Sequence, residues 1–138
     1  MSLSTILHKP LFESPLALIR IWLGITFINH GIPGIFSADF MEGHIGLMES
    51  YDLPMPVVMA YLSKGIELVA GILLLLGLFT RFAAGLIALS MLGAIFTALS
   101  GSVFDDWQNE ISFTYFIMAF AIFLKGSTAY SLDRRIFD

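Results

Sequence analysis

The chain has 138 residues, of which 57% are hydrophobic and only 13% charged, with a mean hydropathy of +0.86. A soluble domain of this size could not hide that much apolar surface, since small domains bury only about 60–70% of what the unfolded chain exposes. The length suits one domain of four membrane spans of ~20 residues with short connections. The absence of cysteine excludes disulfides, thiolate chemistry, iron–sulfur clusters and Cys-based zinc sites. The scattered Lys and Arg leave no nucleic-acid footprint.

The first apolar segment, about 15–36, opens on Ser14-Pro15, suited to N-cap and first helical position. Arg20 interrupts it and His30-Gly31 stands where a signal cleavage site would be, so it reads as a retained span. Gly31-Ile-Pro33-Gly34 is expected to break it near its end. The connection to the second span repeats Phe40, His44, Leu47, Met48 and Tyr51 at helical spacing. It reads either as an interfacial helix over about 38–51, flat across one mouth of the bundle, or as an irregular acidic loop. The second span, about 56–78, contains Lys64 and Glu67. The third, about 82–99, carries no charge and is rich in small residues that let helices approach closely. The fourth, about 108–125, reaches bilayer length with Trp107 at one interface and Lys125 snorkelling to the other. The alternative is a tilted or half-buried helix. The fold expected is an all-α integral membrane four-helix bundle.

The basic loop residues Lys9, Arg81, Lys125, Arg134 and Arg135 fall on one side of this arrangement, and the opposite connections are acidic. The positive-inside rule then places both termini in the cytoplasm, for a multi-pass protein of the bacterial inner membrane.

Arg20, His30, Lys64 and Glu67 lie at membrane depth, where an ionisable group costs roughly 2.5–3.5 kcal/mol and faces a partner or a cavity. At ~1.5 Å per residue, Arg20 sits roughly 9 Å and His30 roughly 24 Å above the cytoplasmic end of the first helix; Glu67 and Lys64 lie at roughly 16 and 21 Å on the second. The expectation is a polar column of Arg20, Glu67, Lys64 and His30, net positive, able to hold an anion or an electron-rich oxygen. The bland readings are a snorkelling arginine, an insertion pair and an interfacial histidine. His8 and His44 fall in exposed segments and carry little weight. Ser90, Thr97 and Tyr115 read as packing donors.

Arg20-x-x-x-Gly24 with Phe27-x-x-His30-Gly31, the run Glu67-Leu-Val-Ala-Gly71 through Gly77-Leu-Phe-Thr80-Arg81, and the ending Lys125-Gly126 to Tyr130-Ser131-Leu132-Asp133 together resemble the DoxX family of small bacterial membrane proteins. The resemblance marks Arg20, His30, Gly31, Glu67, Gly71 and Arg81 as motif positions. One departure is Ile32-Pro33-Gly34-Ile35, where relatives often have a lysine shortly after His-Gly. The resemblance implies a four-helix membrane fold and an association with respiratory or sulfur-linked redox chemistry. The function expected is a membrane subunit of a quinone-linked oxidoreductase. His30 and Glu67 would be its catalytic groups, and Arg20, Lys64, His30 and Glu67 its ligand-binding set. The ligand expected at this cluster is a quinone or an anion, and the cofactor is left open between quinone and none of its own. Haem, flavin or metal would come from a soluble or membrane redox partner, because one intramembrane histidine cannot supply both axial ligands of a bis-His haem. Homo-oligomerisation is open. The alternatives are a small transporter or anion-binding membrane protein, and a non-enzymatic scaffold docking a soluble partner at Arg134-Arg135.

Overall fold

A computed structural model describes residues 14–98 and 102–137. Lys9, His8 and the last residue of the expected third span lie outside them. The described elements are helical: α1 (Pro15–Phe36), α2 (Ala38–Ser50), α3 (Pro56–Leu76), α4 (Thr80–Ala98), a 3₁₀ turn (Val103–Asp105), α5 (Trp107–Lys125) and α6 (Leu132–Phe137). Helices α1, α3 and α4 are long and apolar enough to cross a membrane. Helix α5 matches the 19 residues of α4, but its polar start, Gln108-Asn109-Glu110, keeps it less apolar. The result is an all-α membrane bundle.

Helix α1 packs most extensively on α3, and α4 on α5, with α3 against α4 joining the two pairs. The first pair is drawn together by Gly24 and Gly71. A Cβ on Gly24 would fall 2.7 Å from the Leu75 nitrogen and 2.9 Å from the Gly71 carbonyl, so only glycine permits this backbone approach. The core joins Leu23 and Phe27 of α1, Ala70 and Leu74 of α3, Ala84, Ile87 and Ala88 of α4, and Ala119 and Ile122 of α5. The small residues of α4 thus serve tight packing along its first half.

Two local expectations change. Ser14 caps α1 without a side-chain hydrogen bond, and the Gly-Ile-Pro-Gly run does not break the helix, which continues to Phe36 with Pro33 inside it. Pro33 lies in the last turns, where its missing N–H removes one bond to the Asn29 carbonyl and leaves little helix beyond to distort. The first connection is helical, as its periodicity suggests, but rolled. Met41 is buried and His44, Ile45 and Met48 are half-buried, whereas Phe40, Leu47 and Tyr51 are exposed. The roll brings His44 over α3, 3.0 Å from the Ser63 hydroxyl.

Candidate functional site

At one end of the bundle the ends of α3, α4 and α5 meet the tail that follows α5. A helix leaves its last four carbonyls and first four N–H groups without partners inside the helix. Here side chains from other elements supply some of those partners. Arg20, fully buried on α1, donates from Nη1 to the Leu74 and Leu75 carbonyls in the last turn of α3, from Nε to the Thr128 hydroxyl (2.9 Å) and from Nη2 to the Tyr130 carbonyl (3.0 Å). Arg81 donates to the Phe123 and Leu124 carbonyls at the end of α5 (3.0 and 3.4 Å). Asp133 accepts from the N–H groups of Phe79 and Thr80 at the start of α4 (2.7 and 2.8 Å). Each charge has the sign that complements the helix dipole it meets.

Gly77 shapes this clasp. It closes α3 in a left-handed conformation (φ +67), with Leu78 N–H bonded to the Leu73 carbonyl and its own N–H to Leu74, the pattern of a Schellman cap. Its carbonyl accepts from the Asp133 N–H at 2.9 Å. A Cβ at Gly77 would meet Arg20 Nη1 at 2.7 Å and Ser131 at 2.5 Å. Phe79 and Tyr130 are held at positive φ (48° and 58°), a conformation that non-glycine residues adopt only when their surroundings impose it.

Lys64 and Glu67 form a separate cluster on α3, paired through Nζ and Oε2 at 2.8 Å and both buried. The Lys64 ammonium lies 5.6 Å from the ring centre of Phe40. Glu67 borders a cavity of about 370 Å3 between α2, α3 and α4. Its wall is mostly apolar, with His44, Ser63, Ser90 and Thr97 as the remaining polar members, and Gly93 and Ala94 hollow out the α4 side. The His44 pKa is lowered by burial and by the Lys64 charge, with Glu67 acting in the opposite sense.

The expected continuous column is therefore divided. Arg20 does not reach up to Glu67: it turns toward the tail, where the Leu74 and Leu75 carbonyls in the last turn of α3 accept from it. His30 is exposed on α1, where its ring lies 6.1 Å from Phe27 and 6.2 Å from Tyr115 of α5, and it does not line the cavity. Gly31 and Gly71 are packing positions on the α1–α3 seam. His44, Ser63, Ser90 and Thr97 come to the cavity unannounced. The overlap of His44 with the α2 stripe was the available signal for one of them.

The DoxX family profile matches residues 16–100. Over 126 residues the chain is 35% identical to CatD of Bacillus subtilis, a protein provisionally named an oxidoreductase, covering 91% of this chain and 90% of that one. It is 33% identical over 135 residues to an uncharacterized Haemophilus influenzae protein, covering 94% of each. It is 30% identical over 131 residues to the Escherichia coli inner membrane protein YphA, covering 87% of this chain and 89% of that one. No solved structure matches. The chain belongs to the DoxX family of membrane proteins.

Asp133 gives the clasp a pH signature. Burial works to raise its pKa, but the donors of Thr80 and Phe79, with the Arg20 charge nearby, outweigh burial and hold the carboxyl below its ordinary value. Its contribution is complete above the unfolded-state pKa, about 4, and is lost as pH falls through the lower folded value. Thermal unfolding in detergent should show Asp133→Asn less stable than the parent at neutral pH, with the gap closing in acid. A gap independent of pH would contradict the assignment.

Proposed function

We propose that this chain is the membrane component of a quinone-linked oxidoreductase and takes a quinone head group into the cavity between α2, α3 and α4. The observation that carries this reading is the cavity itself: about 370 Å3 of mostly apolar wall with a carboxylate, an imidazole and the hydroxyls of Ser63, Ser90 and Thr97 on it. A quinone is a flat apolar ring with two carbonyl acceptors. Reduction takes up two electrons and two protons, so its site needs donors and a proton-exchanging group. His44 is the donor to the ring when it leaves the Ser63 hydroxyl, whose own proton goes to the Ala60 carbonyl at 2.9 Å. Glu67 exchanges protons, with Lys64 holding it from the side away from the cavity. Electrons enter from a redox partner. The name of the Bacillus relative is in keeping with this role. Of the residues that the sequence singles out, Glu67 and Lys64 belong to the site. Arg20 holds the bundle, and His30 lies outside.

The test is extraction of protein purified in mild detergent, with bound quinone quantified by chromatography. Gly93 borders the cavity and a Cβ there would meet nothing within 4 Å, so Gly93→Leu fills the space without a backbone clash. The parent should carry quinone, and Gly93→Leu should lose most of it while unfolding at the parent's temperature. Glu67→Gln should retain quinone and lose its reduction. Equal quinone content in the parent and Gly93→Leu would defeat the reading.

The same reading sets the chain in the bacterial inner membrane with four spans, α1, α3, α4 and α5, and both termini cytoplasmic. Its support is the charge asymmetry between the two ends: Arg81, Lys125, Arg134 and Arg135 at the tail end against Glu42, Asp105, Asp106 and Glu110 at the other. Because the chain lacks cysteine, single substitutions report position directly. In intact cells an impermeant maleimide should label Glu42→Cys and Asp106→Cys and spare Arg134→Cys. Labelling of Arg134→Cys would put Glu42 and the tail on one side and require an even number of spans between them in place of three.

A further inference from the structure

A second recess, about 570 Å3 in volume, opens at the tail end between the start of α4, the end of α5 and α6. Its polar wall contains Arg81, Lys125 and Ser127, and its apolar wall Phe79, Phe82 and Phe137. Arg81 is held in place before any ligand arrives. Its Nε and Nη2 bond the end of α5, and Gly126, at φ +80, leaves the guanidinium space that a Cβ would enter 3.0 Å from Nη2. A guanidinium has five N–H donors, so those two bonds leave three uncommitted among the described residues. The Lys64–Glu67 pair is the one ion pair among the described residues, which leaves the Lys125 charge without a carboxylate partner there. Asp133 also borders the recess, but its carboxylate oxygens are engaged by Phe79 and Thr80 N–H. The start of α4 is thereby already capped, and the recess draws its positive character from side chains.

A planar guanidinium, an ammonium and a hydroxyl around one space match the oxygens of a phosphate group. The apolar wall decides between sources of that chemistry. Phe79, Phe82 and Phe137 are 55%, 64% and 64% exposed. They stand beside the cations at the end of the spans, the level at which head groups give way to acyl chains. A free phosphate ion has no use for such a wall, whereas a glycerophospholipid covers it. We propose that this recess binds the phosphate of an anionic glycerophospholipid, with Arg81, Lys125 and Ser127 donating to the head group and the acyl chains lying on Phe79 and Phe82. Basic recesses between membrane helices on the cytoplasmic side suit such head groups. The bound lipid bridges α4, α5 and α6, reinforcing the clasp from outside.

Native mass spectrometry of the full chain in mild detergent, titrated with phosphatidylglycerol or phosphatidylcholine, tests this. Phosphatidylglycerol should bind more tightly. The double variant Lys125→Gln/Ser127→Ala should weaken it by about fivefold or more, the scale of one lost cation near the surface. It should leave phosphatidylcholine binding and the unfolding temperature in lipid-free detergent unchanged. These substitutions spare the Arg81 bonds to α5, so loss of fold is not expected, and Lys125→Arg should restore most of the preference when Ser127 is kept. Equal affinity for the two lipids, or phosphatidylglycerol binding unaffected by the double variant, overturns the proposal. Displacement of phosphatidylglycerol by millimolar inorganic phosphate, with no lipid preference remaining, would assign the recess to a free anion and overturn the lipid assignment.

Discussion

A guanidinium cannot shed its proton in a protein, so Arg20, with no exposed surface, must have its charge answered by its surroundings. Burial of a charge costs several kcal/mol even after relaxation unless hydrogen bonds meet it. The bundle meets this demand with the carbonyl ends of α3, the Thr128 hydroxyl and the Tyr130 carbonyl. The Thr128 and Tyr130 acceptors are in place only when the tail has folded back over the α3–α4 turn. The demand of one side chain therefore fixes the path of a segment more than a hundred residues later in the chain, and with it the position of Asp133 on α4.

This division of labour separates two polar clusters that the sequence invites one to merge. In the clasp Arg20, Arg81 and Asp133 answer helix ends, and Phe79 and Tyr130 are held at positive φ. The Lys64–Glu67 cluster is different. One carboxylate oxygen takes the Lys64 ammonium, and the residue borders a cavity with His44 and Ser63. The first cluster joins helix ends to the tail, whereas the second sets a carboxylate at the wall of a mostly apolar cavity.

Much of the fold was legible in the sequence because its signals are strong and local: long apolar runs, Pro at the starts of α1 and α3, and glycine at the end of α3. The site was legible in part. Lys64 and Glu67 are three residues apart on one helix, so their pairing follows from helical geometry. The partners of Arg20 could not be read in this way. Carbonyls have no sequence signature, and depth along a helix does not tell whether a long side chain turns up toward a carboxylate or down toward a helix end. The Ser-Leu-Asp ending was visible as a motif, but its purpose depends on a tail fold that no periodicity encodes. His44 falls in a connection, where sequence alone gives it little weight; the packing of α2 on α3 brings it to the cavity.

Arg20 and Glu67 act independently in this bundle, one closing it and the other facing the cavity. A double-mutant cycle in unfolding free energy, with Arg20→Gln, Glu67→Gln and both together, measures this directly. Groups that share no partner should add to within about 0.3–0.5 kcal/mol, and that is the result expected here, with Arg20→Gln the costlier change. A coupling well beyond that, with the double variant more stable than the sum of the two losses implies, would mean that the two charges answer each other and that the clasp is not what holds Arg20.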